Sequence, residues 1–331
     1  MMTSSPRETI LQLFRETPDG YLSGGRISDV LGVSRTAVWK QITALRNLGY
    51  QIEAVPSRGY RLLRSPDALL VEEIRAGLDT RIIGGDIRLL DVTDSTNSQA
   101  GALGDAGAPE GLVVVADRQT AGKGRLGRSW ISPEAVNLYL SVLLRPPVLP
   151  VEAPQLTFLS AVAVVRAIIE VSGLEPKVKW PNDILLNGRK VAGLLNEMSS
   201  ETDRVNYVVL GIGVNLNMTS EQFPARLRYP GTSLGIELGH QVSRVEFARC
   251  LLRQIDLLYD EYLRTGARPV MAAWEGHCDL TGKPIVVDCQ SFLVQGIMAG
   301  IDDDGALLVK TGQGTFERVL AGDVRPADLN D

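Results

Sequence analysis

The sequence predicts an α+β protein of three units: a winged helix-turn-helix at residues 1–65, a mixed α/β domain built on a sheet at 66–279, and a small antiparallel β-barrel at 280–331. Three observations lead there. Two short helical patterns joined by a glycine turn precede a hairpin pattern, strand and helix patterns then alternate through the middle, and short strands separated by turn signals fill the end. At 331 residues the chain also exceeds the usual size of one domain, so several packed units are expected.

In the first unit, residues 6–17 read as an amphipathic helix with Ile10, Leu11, Leu13 and Phe14 inward. Ser23 can cap a second helix carrying Ile27, Val30 and Leu31, which Gly32 breaks. Ser34 stands where an N-cap belongs, ahead of RTAVWKQITALRNLG, in which Ala37, Val38, Ile42, Leu45 and Leu48 recur at spacings of three and four until Gly49. This helix-turn-helix pattern makes Ser34, Arg35, Thr36, Trp39 and Lys40 the candidates to enter a major groove. Residues 50–63 alternate like a hairpin with its tip at Pro56-Ser57-Arg58-Gly59. Arg58 and Arg61 on that wing would meet phosphates, contacts that set affinity and register without reading sequence. A three-helix packing module would show the same apolar spacing, and charge tilts against it. Residues 1–65 carry nine Lys/Arg and five Asp/Glu, a net +4, whereas the remainder is −9, so only the first segment suggests a polyanionic partner.

Several classes are excluded. No stretch reaches the roughly 18 uninterrupted apolar residues of a membrane span, and MMTSSPRETI lacks the plan of a signal peptide, so a cytoplasmic protein without a membrane partner is expected. Cys250, Cys278 and Cys289 have no C-x-x-C spacing and read as isolated buried thiols rather than a disulfide framework or zinc site. With His240 and His277 as the only histidines, a Ser-His-Asp site has little to draw on.

Arg64-Ser65-Pro66-Asp67 has linker composition and precedes a helical run, LLVEEIRAGL, which puts a boundary near 64–67. Beyond it IRLLDV, GLVVVAD, NLYLSVLL, a long apolar helix at 154–172, KVKWPNDILL, KVAGLLNE and YVVLGIGVNL succeed one another. Four clusters here invite a chemical reading. Asp94-Ser95-Thr96-Asn97 follows a strand, where such side chains orient a polar ligand or, more commonly, cap a helix. In GLVVVADRQTAGKGRLGRSW a buried strand feeds a loop with Gly122, Gly124 and Gly127 between Lys123, Arg125 and Arg128. Glycines let backbone amides approach an anion and the cations neutralise it, so phosphate or carboxylate is the expected guest. The loop also satisfies the dinucleotide pattern G-x-G-x-x-G and nearly a P-loop, but both need a helix directly afterwards. Ser129-Trp-Ile-Ser-Pro133 and an alternating strand stand there instead, and Arg128 replaces the P-loop lysine.

The third cluster, Lys179-Trp180-Pro181-Asn182-Asp183, sets a cation, an amide and a carboxylate in a turn. It suits a magnesium–triphosphate with Asp183 as oxygen donor to the metal, or equally an Asn-Asp turn with a surface salt bridge. In the fourth, residues 188–195, Lys190 points into a site if the strand's apolar residues pack beneath it, although a lysine at a strand start is usually solvated.

Taken in order, DSTN, RQTAGKGRLGRSW, KWPND, GRKVAGLLNE and GIGVNLN closely resemble the bacterial biotin–protein ligases. With the winged helix at 6–63 the sequence further resembles the bifunctional members, the biotin operon repressors, over nearly its whole length. The resemblance implies a central domain of the biotin/lipoate ligase type and an SH3-like C-terminal domain. It implies biotin and ATP, with Mg2+, as the molecules bound, and a two-step reaction through biotinyl-5′-AMP to an acceptor lysine. It further implies three partners: the biotin carboxyl-carrier protein of acetyl-CoA carboxylase as acceptor, operator DNA, and a second copy of the chain in a homodimer formed on adenylate binding.

By matching position, the resemblance assigns Ser95, Thr96 and Asn97 to the biotin site, Gln119 to its ureido end, Lys123, Gly124 and Arg125 to a closing loop, and Gly193 and Leu195 to the pocket wall. Arg125, Arg128, Trp130, Lys179, Asn182, Asp183 and Asn215 would serve the nucleotide, and Lys190, which also meets biotin, would be the principal electrostatic catalyst together with Arg125. Two departures stand out. Lys123 and Leu126 occupy positions where the family commonly has arginine, and lysine keeps the charge but loses the bidentate fork. Two readings from other classes remain beside this one. A transcription factor that merely senses a ligand is disfavoured by the retained Lys190, Arg125 and Asp183, and a lipoate-type ligase by the KWPND and glycine loops.

From Thr281 onward KPIVVDC, SFLVQGIMAGI, GALLVKT and TFERVL, with turn signals at Gln290-Ser291, 302–305 and 312–314, fit the small barrel. Help with nucleotide and acceptor binding, as the resemblance suggests, and a structural cap are equal expectations there.

Overall fold

Serine side chains open the first three helices of the computed structural model, which describes residues 5–18, 20–65, 68–225, 227, 229–312 and 314–327. Ser5 and Glu8 form a reciprocal capping box on α1 (Pro6–Arg15), Ser23 accepts from the Arg26 N–H at α2 (Gly24–Leu31), and Ser34 accepts from the Ala37 N–H at α3 (Arg35–Asn47). Gly32, left-handed at φ 64°, stops α2 as expected. Ile10, Leu11, Leu13, Phe14, Ile27, Val38, Ile42 and Leu45 form one buried cluster. Val30 is the exception: it is 54% exposed, because on this eight-residue helix Ile27 and Leu31, four apart, already define the inward stripe.

The hairpin pairs β1 (Gln51–Val55) with β2 (Gly59–Arg64), and Tyr60 exchanges two 2.8 Å backbone bonds with Leu22. Gly59 sits at φ 108°, and a Cβ there would lie 2.0 Å from the Leu22 carbonyl oxygen. Gly59→Ala is therefore expected to destabilise the winged helix by about 3 kcal/mol, read as a lower urea midpoint by circular dichroism.

The LLVEEIRAGL run is helical only at α4 (Val71–Arg75), where Glu73 is buried between Arg15 at 2.7 Å and Arg249 at 2.9 Å. By contacts the chain divides into two compact units, Met1–Asp79 with Ser243–Arg249, and Thr80–Val242 with Cys250–Asp331. Pro66 and Asp67 of the expected linker lie outside the described residues.

The second unit is built on β3 (Ile87–Thr93), α5 (Thr96–Asp105), β4 (Val113–Gln119), β5 (Leu138–Leu144), α6 (Gln155–Ser172), β6 (Lys177–Lys179), β7 (Asp183–Leu186), β8 (Arg189–Ser200) and β9 (Val205–Val214). These strands make one seven-stranded sheet in the order β3-β4-β5-β9-β8-β7-β6, antiparallel except for β3 beside β4. KVKWPNDILL is thus two short strands around a turn. Among the described residues only α6 is long and apolar enough to cross a membrane, and here its apolar surface is spent on the sheet, from Leu156 to Ile168.

Three helices follow, α7 (Leu234–Leu238), α8 (Arg244–Thr265) and α9 (Arg268–Gly276). The end of the chain is a five-stranded antiparallel sheet of β10 (Pro284–Asp288), β11 (Leu293–Ile301), β12 (Leu307–Lys310), β13 (Phe316–Val319) and β14 (Asp323–Pro326), ordered β13-β12-β11-β10-β14. Strand β14 was not expected from the sequence. The Trp180 indole donates to the Gly305 carbonyl at 3.1 Å, and Trp274 meets Phe158 edge-on at 5.2 Å, joining this sheet, α9 and α6.

All three cysteines are free thiols. Cys250 is 1% exposed, and burial pushes its thiol up to about 12, so it should be the slowest of the three to alkylate at pH 8, as peptide mapping after iodoacetamide labelling will show.

Candidate functional site

The site rises from a floor of glycines. Strands β8 and β9 pair Gly193 with Gly213 and Leu195 with Gly211, so small residues lie side by side on one face of the sheet. A Cβ on Gly211 would come within 2.1 Å of Asn97 Oδ1, and one on Gly213 within 2.5 Å of Trp130 Nε1. Asn97 and Trp130 can lie on the strands only because nothing projects there. Above this floor opens a cleft of about 1310 Å³, including its mouth.

One end of the cleft is a hydrogen-bonded chain of hydroxyl and amide side chains that ends on the Glu197 carboxylate. Thr96, at the start of α5, donates to Gln119 Oε1 through its N–H at 2.8 Å and its hydroxyl at 3.1 Å, while Gln119 Nε2 donates to Ser132 Oγ at 2.9 Å. The Ser141 hydroxyl, buried in β5, lies 2.8 Å from Thr96 Oγ1 and 2.7 Å from Asn97 Oδ1, one proton facing two acceptors. Asn97 Nδ2 donates to the Leu195 carbonyl at 3.0 Å and to Glu197 Oε2 at 2.7 Å. Ser95 occupies the cap position of α5 but makes no capping bond with its side chain, so the Asp94–Asn97 string is more than a helix start.

The other end is cationic. Lys190 reaches Asp183 at 2.6 Å and lies 5.4 Å over the Trp130 ring, so it is half-buried and paired at the strand start. Asn182 supports the turn, its Nδ2 donating to the Leu194 carbonyl at 2.6 Å. Asn215 accepts from Asn137 at 3.3 Å and donates to the Thr232 carbonyl at 3.1 Å.

The glycine-rich loop forms a single short turn at Arg125–Gly127, with Leu126 left-handed at φ 57°, and returns to β5 without a helix, as the sequence indicated. Arg128 is bound through both terminal nitrogens to Asp323 of β14, at 3.2 and 2.5 Å, which raises its pKa. Lys123 lies 3.5 Å from Glu197. Among the described residues Arg125 makes no ion pair, and burial pulls its guanidinium below its ordinary value: a desolvated cation suited to an incoming anion. No cluster of metal-binding side chains occurs among the described residues, and the Asp183 carboxylate lies between Lys190 and Lys179.

Of the expected site residues, all of those assigned to biotin and the nucleotide line this cleft except Lys179. Lys179 is buried, 3.3 Å over the Tyr229 ring and 3.9 Å from Asp183, so it acts on the site through those two residues, and its salt bridge is not on the surface. Ser141, Ser132, Phe223, Tyr229 and Asp323 belong to the site or its support and were not anticipated.

In the first unit Ser34 spends its hydroxyl on capping, while Arg35, Thr36, Trp39 and Lys40 are exposed along the start of α3, Trp39 by 54%. Arg58 is exposed on the wing, 4.2 Å over the Tyr21 ring. Arg61 differs from expectation: its guanidinium is held by Glu53 at 3.0 Å, which also accepts from the Tyr21 hydroxyl, so Arg58 is the freer wing cation.

Comparison with known proteins agrees with this division. The chain matches the biotin/lipoate A/B protein ligase family at residues 89–215, an HTH domain at 6–61 and the biotin protein ligase C-terminal domain at 293–325. It is 41% identical to the bifunctional ligase/repressor BirA of Bacillus subtilis over 323 residues, covering 98% of this chain and 99% of that one. To the protein of the same name from Escherichia coli it is 31% identical over 303 residues, covering 91% and 92%. Its structure is similar to that of the biotin protein ligase from Aquifex aeolicus in complex with biotin and ATP, at a TM-score of 0.63 and 28% identity over 73% of this chain and 99% of that one. The chain therefore belongs to the bifunctional biotin–protein ligase and repressor family.

Proposed function

We propose that this protein joins biotin to ATP as biotinyl-5′-AMP, passes the biotinyl group to a lysine of a carboxyl-carrier protein, and, with the adenylate bound, represses transcription as a homodimer on a two-fold operator. The observation that carries the reading is the convergence on one cleft of the neutral Thr96–Gln119–Asn97 chain and the Lys190, Arg125 and Lys123 cations. The first suits a uncharged polar head such as a ureido ring, and the second a carboxylate meeting a phosphate.

In the first step a biotin carboxylate oxygen bonds to the α-phosphorus while the bond to the bridging oxygen breaks and pyrophosphate leaves. In the second, the acceptor amine bonds to the acyl carbon, AMP departs and the amine loses its proton. Both steps develop negative charge on oxygen, which Lys190 and Arg125 would stabilise. Trp130, Asn182, Asn215 and Arg128 would border the nucleotide and Ser95, Gly193 and Leu195 the biotin. Mg2+ would arrive with the triphosphate, neutralising its charge. A single carboxylate, Asp183, fits such a metal, which keeps its waters and takes one or two protein oxygens. Arg35, Thr36, Trp39, Lys40 and Arg58, with Ser34 ordering their helix, would meet the DNA, half-site spacing following the dimer axis.

Exchange of labelled pyrophosphate into ATP tests the enzyme. The expected result is exchange that requires biotin and is not supported by lipoate or octanoate. Biotin binding without exchange would make the protein a ligand-sensing regulator instead.

A further inference from the structure

Glu197 ends the KVAGLLNE motif, and none of the roles above uses it. Its two carboxylate oxygens are divided between different parts of the site. Oε2 accepts from Asn97 Nδ2 at 2.7 Å, at the neutral end of the cleft, while Oε1 lies 3.5 Å from Lys123 Nζ, on the glycine-rich loop. Asn97 cannot give way, because Gly211 lies beneath it, its Oδ1 faces Ser141 at 2.7 Å and its Nδ2 also holds the Leu195 carbonyl. The loop end is less fixed. Lys123 and Glu197 have side chains 43% and 44% exposed, and Lys123 is held to the turn by the backbone bridge to Ser129.

We propose that Glu197 is a positioning residue that ties the glycine-rich loop to the fixed floor of the biotin pocket, and so sets how long the adenylate is retained. The inference rests on the ligase reading. The loop is held at two points, by Lys123–Glu197 at its start and by Arg128–Asp323 at its end, and an opening on the side of the biotin pocket must first separate Lys123 from Glu197. Lysine at position 123 makes this latch a single point contact, where an arginine could bind both carboxylate oxygens in a fork. Glu197 touches no reacting atom in this scheme. It acts through Lys123 on one side and Asn97 on the other.

The test is release of a non-hydrolysable sulfamoyl analogue of biotinyl-5′-AMP from the full-length protein, followed after a chase with unlabelled analogue. Glu197→Gln keeps an oxygen for Asn97 and removes only the charge. It should speed release about two- to fivefold, the range an exposed ion pair supplies, and should lose the acceleration that added salt produces in the unaltered protein. Lys123→Ala should do the same, and the two changes together should do no more than either alone. Unchanged release in Glu197→Gln, or effects of the two single changes that simply multiply, would overturn the proposal. Failure of the unaltered protein to bind the analogue at all would instead remove the ligase reading, and this inference with it.

Discussion

Lys190→Ala is expected to lower biotin-dependent pyrophosphate exchange by about 100- to 1000-fold, with biotin binding much less affected, the loss typical of a fixed charge removed from where negative charge develops. Two effects add in this substitution. The cation 2.6 Å from Asp183 disappears, and among the described residues Asp183 keeps Lys179, 3.9 Å away, as its remaining ion-pair partner, so a less compensated carboxylate then faces the phosphates. The double variant Lys190→Ala with Asp183→Asn separates them. Partial recovery of exchange would assign that part of the loss to repulsion by Asp183, and no recovery would leave all of it with the missing ammonium. Exchange within tenfold of the unaltered protein in the single variant would show that Lys190 does not carry the first step.

Gly211→Ala should weaken biotin binding by roughly 100-fold, equivalent to about 2.7 kcal/mol, as measured by isothermal titration. The added methyl would sit 2.1 Å from Asn97 Oδ1 and 2.7 Å from its Cγ, closer than any contact can be. Asn97 must then turn away and surrender its bonds to Ser141, Leu195 and Glu197, three partners of a buried amide. Gly193→Ala provides the comparison on the neighbouring strand. Its methyl meets the edge of the Trp130 ring at 2.8 Å and the end of the Lys190 side chain at 3.2 Å but leaves the bonds of Asn97 in place, so a loss several-fold smaller is expected. Equal losses in the two variants would mean that floor shape in general, rather than the Asn97 position, governs the pocket.

Much of this site was legible because its elements announce themselves locally. Serine before each early helix, and the glycine–cation alternation of the loop, have physical meanings that do not depend on distant residues. What stayed hidden is long-range. Ser141 lies in a strand buried on both faces, where no polar alternation marks the side that supports Thr96 and Asn97. Asp323 reaches Arg128 from 195 residues away, on a four-residue strand with a proline at its end that carries little strand signal. The different fates of Lys179 and Lys190 could not be told apart from spacing, because the Tyr229 ring that covers Lys179 is brought there only by the fold. The pairing of Lys190 was hidden for the same reason: its partner, Asp183, comes from the adjoining strand.

The bond between Lys190 and Asp183 also bears on what the protein ignores. A cell is full of small anions, and a bare ammonium in a pocket would collect them. Here the ammonium brings its own counter-anion, so orthophosphate or a stray carboxylate must displace a contact already made and gains little by doing so. Only a guest that also fills the amide-lined end contributes enough further binding to open the pair. Discrimination against the ionic background at Lys190 thus follows from this pairing.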